Sequence, residues 1–211
     1  LIASYGLMLH GQGQQRLHAG VKYVVVNLVG STLFLIAVGI LYGVTGTLNM
    51  ADMALRVAQA PAGDQPLIRV GAQLLVAVFA LKAALLPLHL WLPQTYASTS
   101  PTVAALFAIL TKAGVYPIIR VTVLIFGAEA GAAAFAPAVW MLPAAMLTIL
   151  AGYFGVLAAR NLRSLAAFGV IGSTGTLLVA VGLFKPEGIA AALYYMPHSV
   201  LAGALVFLVT D

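Results

Sequence analysis

The chain has 211 residues, 63% of them hydrophobic and only 7% charged, with ten Lys plus Arg against five Asp plus Glu. Soluble domains are roughly 45–50% apolar and about 25% charged, so this composition excludes a soluble enzyme, and its abundant apolar surface excludes a disordered chain. The net charge of +5 is spread too thinly for a nucleic-acid partner and reads as basic residues beside a membrane. Without cysteine, this chain holds no disulfide, Cys-ligated zinc or iron–sulfur cluster.

The chain opens inside an apolar run, Leu1–Leu9, which reads as the stub of a span in a piece of a longer protein. A bilayer core of ~30 Å takes about 20 apolar residues in a helix. Long continuous runs, rather than alternating ones, favour helices over barrel strands. Six further runs meet that length: Val21–Tyr42, Leu67–Leu92, Thr102–Gly127, Phe135–Ala158, Ser164–Phe184 and Gly188–Val209. Residues 1–211 therefore read as a single transmembrane domain. Between the first two complete spans, Leu48–Val57 places apolar residues at helical spacing and predicts a short helix on the membrane surface. Gly11-Gln-Gly13 lacks the third glycine and flanking strand of a dinucleotide fingerprint. Basic residues do not orient the bundle. Arg16, Lys22, Arg160 and Arg163 lie on one side, with Arg56, Arg69, Arg120 and Lys185 on the other.

Most charges sit at span ends, where long side chains reach the interface. Three ionisable residues do not. Lys82 lies deep in Leu67–Leu92, Lys112 is ten residues into Thr102–Gly127, and His198 falls at the middle of Gly188–Val209. A lysine at the bilayer centre costs roughly 2.5–3.5 kcal/mol on insertion scales, so such residues face a bundle interior or wet cavity and mark ion or proton paths. The plainer alternative is a lysine paired with a carboxylate that locks helices, or a histidine hydrogen-bonded across them. A lysine balanced between desolvation and a neighbouring charge can take up and release a proton, and histidine titrates near neutrality unaided. Prolines accompany all three: Pro87 and Pro117 each follow a lysine by five residues, and Pro197 precedes His198. They predict helix breaks, with free carbonyls beside the ionisable groups. His89 reads equally as a group within reach of Lys82 and as an interface histidine. Gly30-Ser31 and Gly172-Ser-Thr-Gly175 read as close helix contacts. No cofactor-binding or metal-ligand cluster stands out.

The run Lys82 to Pro87-Leu-His89-Leu-Trp91-Leu-Pro93, with Ser100-Pro101, Thr111-Lys112-Ala-Gly114-Val-Tyr116 and Tyr194-Tyr195 to His198-Ser199, resembles a known family. It is that of the antiporter-like membrane subunits shared by Mrp-type sodium/proton antiporters and proton-pumping NADH:quinone oxidoreductase (complex I). The resemblance implies an all-α polytopic transmembrane helix bundle with broken helices, a fragment of an inverted-repeat antiporter-like subunit. It implies Lys82 as the central proton-carrying lysine, Lys112 as the continuation of the path, and His198 on the same hydrophilic axis. The family's glutamate partner for the central lysine would lie before Leu1, and its last broken helix beyond Asp211. Gln94 stands where many members are acidic. Ala167-Phe168, Thr95-Tyr96 and Ala105-Leu-Phe-Ala108 look more like the D subunit of the Mrp antiporter than complex I. The resemblance thus implies a proton-translocating subunit of a bacterial inner-membrane sodium/proton antiporter, working with other membrane subunits, needing no cofactor and not itself an enzyme. Membership of complex I and a non-conducting membrane scaffold are the alternatives.

Overall fold

The computed structural model describes residues 2–10 and 13–210. Nine α-helices account for most of these: α1 (Ile2–Leu9), α2 (Gln14–Thr45), α3 (Met50–Ala58), α4 (Gln65–Lys82), α5 (Leu92–Ser98), α6 (Pro101–Arg120), α7 (Ala138–Ala158), α8 (Leu162–Gly182) and α9 (Pro186–Leu208). Among the described residues, six stretches are helical, long and apolar enough to cross a membrane. The fold is an all-α polytopic bundle. The surface helix predicted over Leu48–Val57 is α3, started by the Asn49 side chain accepting from the amides of Ala51 and Asp52. It buries Met53 and Val57 and exposes the Arg56–Asp52 ion pair at 3.0 Å.

Three expectations need correction. The span Leu67–Leu92 is not continuous: α4 ends at Lys82, and a non-helical stretch leads to the short α5. Ala84 turns to positive φ there, and Pro87 has no amide to return to the helix ladder. The helix breaks expected at Pro117 and Pro197, in contrast, do not occur. Both prolines lie inside helices, α6 and α9. Each removes a single hydrogen bond, which a packed membrane helix tolerates. Distortion on α6 comes later, as a π-turn over Val121–Ile125.

α7 and α8 make the tightest contact. A Cβ placed on Gly152 would lie 2.4 Å from the amide nitrogen and 2.5 Å from the Cα of Gly172. With no side chain on either glycine, the two backbones touch directly, which suits helices that gain no hydrophobic drive from lipid.

The buried side chains divide into two apolar clusters. One contains Leu41, Ile68, Val76, Ile118, Met141 and Leu178. The other contains Tyr23, Leu92, Tyr96, Phe107, Ile171 and Phe207. Along each helix the polar residues fall where one cluster gives way to the other. On α6, Thr111 and Lys112 lie between Ala108 and Val115; on α8, Ser173 and Thr174 lie between Ile171 and Leu177. Asn27 on α2 and His198 with Ser199 on α9 occupy the same transition. Helices that alternate in direction thereby stack a polar layer between two oily ones, close to the midpoint of the spans.

Candidate functional site

The polar layer is built around the break after α4. Lys82, the last residue of that helix, donates from Nζ to Oδ1 of Asn27, whose Nδ2 in turn donates to the Tyr23 carbonyl at 2.7 Å. Both side chains line a cavity of about 200 Å³ shared with Tyr23, Trp91, Tyr96 and Thr111. Two groups left over by the break find partners. The Leu81 carbonyl accepts from Trp91 Nε1 at 3.2 Å, and the Leu86 amide donates to Thr148 Oγ1 at 2.9 Å. Gly114 on α6 lets the break approach closely, since a Cβ there would lie 3.1 Å from the Ala83 nitrogen and 3.3 Å from the Lys82 Cβ.

Thr148 is fully buried on α7 and passes its own proton to the Ala144 carbonyl at 2.6 Å. Replacing it by valine keeps the shape and strands the Leu86 amide, a loss of about 1–3 kcal/mol. Thr148→Val is therefore expected to lower the melting temperature of the complete protein. Thr148→Ser, which retains the hydroxyl, is expected to restore most of the difference.

Across α6 the chemistry changes. Thr111 faces the Lys82 cavity and bonds the hydroxyl of Tyr96, which also donates to the Phe107 carbonyl at 2.6 Å. Its neighbour Lys112, about 100° further round the helix, is 1% exposed. Its Nζ reaches three oxygens of α8: the Val170 carbonyl at 2.9 Å, Ser173 Oγ at 2.6 Å and Thr174 Oγ1 at 3.1 Å. Three N–H bonds meet three acceptors, so the ammonium is fully hydrogen-bonded without a counter-ion. Among the described residues the one salt bridge is Arg56–Asp52, so neither interior lysine is paired with a carboxylate there.

Beyond Ser173 lies a second cavity, of about 220 Å³, lined by Tyr153, Val170, Ser173, Tyr195, His198 and Ser199. His198 is exposed along this groove, with its ring centroid 5.8 Å from that of Tyr195. Lys82, Lys112 and His198 thus follow one another through the layer: a cavity, a buried amine, a second cavity. His89 lies in the break, its Nδ1 buried and without a hydrogen bond among the described residues, and does not line the Lys82 cavity. Among those residues no cluster of three His, Asp or Glu could hold a metal.

Nothing in the sequence pattern singles out Asn27, Tyr96, Thr111, Thr148, Ser173 or Thr174 as site residues. Hydroxyls and amides in apolar helices are common, and only the partner across the bundle distinguishes these: a lysine amine for Asn27, Ser173 and Thr174, the Lys82 cavity for Tyr96 and Thr111, and the Leu86 amide for Thr148. The Gly172–Gly175 segment carries a partial signal: its glycines meet α7 as expected, while Ser173 and Thr174 between them hold Lys112.

A bundle of membrane-length helices with one broken span and a polar, lysine-bearing midlayer defines a polytopic membrane protein of the antiporter-like architecture. The chain belongs to the NADH:quinone oxidoreductase/Mrp antiporter transmembrane family, whose profile matches residues 1–211. It is 46% identical, over its whole length and 39% of the relative's, to the D subunit of a probable K(+)/H(+) antiporter of Rhizobium meliloti. It is 39% identical, over 99% of its length and 41% of the relative's, to the D subunit of the Na(+)/H(+) antiporter of Bacillus subtilis. Among solved structures, the Mrp complex from Dietzia superposes with TM-score 0.86 at 33% identity, covering 97% of this chain and 38% of that one. Respiratory complex I from Thermus thermophilus gives TM-score 0.82 at 26% identity, covering 99% and 44%. The chain thus spans about two fifths of the curated relatives it matches.

Proposed function

We infer that residues 1–211 form the proton-carrying transmembrane unit of a D-type subunit in a multisubunit monovalent cation/proton antiporter of a bacterial inner membrane. The observation that carries this reading is the polar layer itself: two amines held between apolar clusters, with a cavity on either side of Lys112. A proton enters when an amine forms its third N–H bond and leaves when that bond breaks, so each transfer changes the charge of the layer by one. Two like charges 10 Å apart in surroundings of effective dielectric constant 20 repel by about 1.7 kcal/mol, more than one pKa unit. Occupancy of one site therefore biases the next, and this is how the protein would communicate with its neighbours in the complex. Its role is that of a transporter component rather than a catalyst. Likeness to an Mrp complex and to antiporter D subunits favours this over a respiratory pump. The exported ion is sodium in our reading, although the relatives are named for both potassium and sodium.

The test is Lys82→Ala in the complete protein, assembled in its complex and reconstituted in vesicles with a pH-sensitive dye. Proton movement driven by sodium or potassium is expected to slow roughly tenfold, less than for loss of a wholly buried carrier, because Lys82 opens onto a cavity large enough to admit water in place of its amine. Normal assembly with unchanged transport would make the protein a scaffold. A response to potassium alone would correct the cation. Proton movement that requires NADH would assign the chain to the respiratory class.

A further inference from the structure

The membrane face that holds the starts of α2, α6 and α8 carries Arg16, Lys22, Arg160 and Arg163, with no acidic residue among the described ones. The opposite face balances Arg56, Arg69, Arg120 and Lys185 against Asp52, Asp64, Glu129 and Glu187. On the basic face, two adjoining hollows of about 390 and 310 Å³ open between α2, α5 and α8, sharing Gln15, Ala97 and Ser98. Arg16 and Arg163, both half-buried, line the larger. Arg16 is fixed there, donating from Nε to the Ser98 carbonyl at 3.0 Å and from Nη1 to the His10 carbonyl at 2.6 Å. Lys22 is tied to Gln94 Oε1 at 2.8 Å. Arg163, which also lines the hollow, has no hydrogen bond or ion pair among the described residues. The first turn of α2 adds amides with neither a capping side chain nor an acidic residue beside them.

We propose that this hollow binds the phosphate of an anionic phospholipid headgroup, with Arg163 as its principal ligand and Arg16 as the pre-set second. The shared chemistry is a tetrahedral oxyanion on a guanidinium fork, which arginine holds through paired N–H bonds. Position decides the source. The hollow lies at the helix ends, the depth of the headgroups, where basic pockets between spans recognise anionic lipid.

The experiment is native mass spectrometry of the intact complex in detergent, titrated separately with phosphatidylglycerol and phosphatidylcholine, with and without inorganic phosphate. Phosphatidylglycerol is expected to be retained over phosphatidylcholine. Arg163→Gln is expected to weaken that retention about tenfold, and Arg163→Lys less. Arg163→Gln breaks no hydrogen bond within the described residues, so assembly is expected to survive, and size-exclusion chromatography checks it. Arg160→Gln, on the neighbouring exposed residue, is expected to change nothing. Equal retention of the two lipids, or an unaltered Arg163→Gln complex, overturns the assignment. So does an equal loss in Arg160→Gln, which would mean diffuse surface charge. Displacement of the lipid by an equal concentration of inorganic phosphate would mark a soluble-anion site instead. A neighbouring protein's carboxylate seated on Arg163 in the assembled complex would equally refute it.

Discussion

Replacing Lys112 by methionine is expected to leave the protein folded and to slow proton passage roughly a hundredfold, the lower range for loss of a positioned proton carrier. Folding survives because the three oxygens it abandons are not orphaned. The Val170 carbonyl still accepts from Ser173 Oγ at 2.9 Å and from Thr174 Oγ1 at 2.8 Å, so both hydroxyls keep a bond. Methionine matches the length of the lysine stem and packs among the same neighbours. The loss of rate is larger than for Lys82 because Lys112 is wholly buried, whereas Lys82 opens onto a cavity. Vesicles containing the variant complex, assayed beside a heat-stability trace of the same preparation, separate the two effects. A variant that melts normally but retains full transport would remove Lys112 from the path.

Gly152→Ala is expected to destabilise the complete protein by about 3 kcal/mol or more, the upper range for forced overpacking. The obstacle is the backbone of Gly172, which cannot rotate away as a side chain could. Displacing α8 would also carry Ser173 and Thr174 away from Lys112, so transport should fall in whatever fraction still folds. Gly39→Ala on α2 is the control, since nothing lies within 4 Å of a Cβ there. Alanine in a helix is intrinsically better than glycine by roughly 0.5–1 kcal/mol, so this variant should be neutral or slightly stabilised. Melting curves of the purified complexes distinguish the two; equal midpoints would deny that the α7–α8 contact matters.

Much of the fold was legible because oil solubility leaves a loud pattern. Each of the six long apolar runs holds a membrane-length helical stretch, although Leu67–Leu92 is cut by the break after Lys82, and the amphipathic segment at Leu48–Val57 became α3. The lysines were equally visible, since a charge in such a run contradicts its surroundings. Proline was a poorer guide. The broken span carries Ala84 at positive φ beside Pro87, whereas Pro117 and Pro197 stand in otherwise regular stretches that absorb one missing bond. Spacing within one helix could not reveal which oxygens face a lysine across the bundle. Asn27 is 55 residues from Lys82, and Ser173 is 61 from Lys112.

That Lys112 rests on neutral oxygens alone has a bearing on what the corridor can admit. A bare alkali ion 5 Å from a protonated amine meets a repulsion of about 3 kcal/mol at an effective dielectric constant of 20, with no described anion alongside to cancel it. In the proposed path a proton avoids that second charge by becoming the amine's own third N–H bond, whereas a metal cation would have to stand beside a charge already there. If Lys112 carries the proton as proposed, the lining would select by charge rather than by width, and any metal cation exchanged for the proton would be expected to cross by a different route.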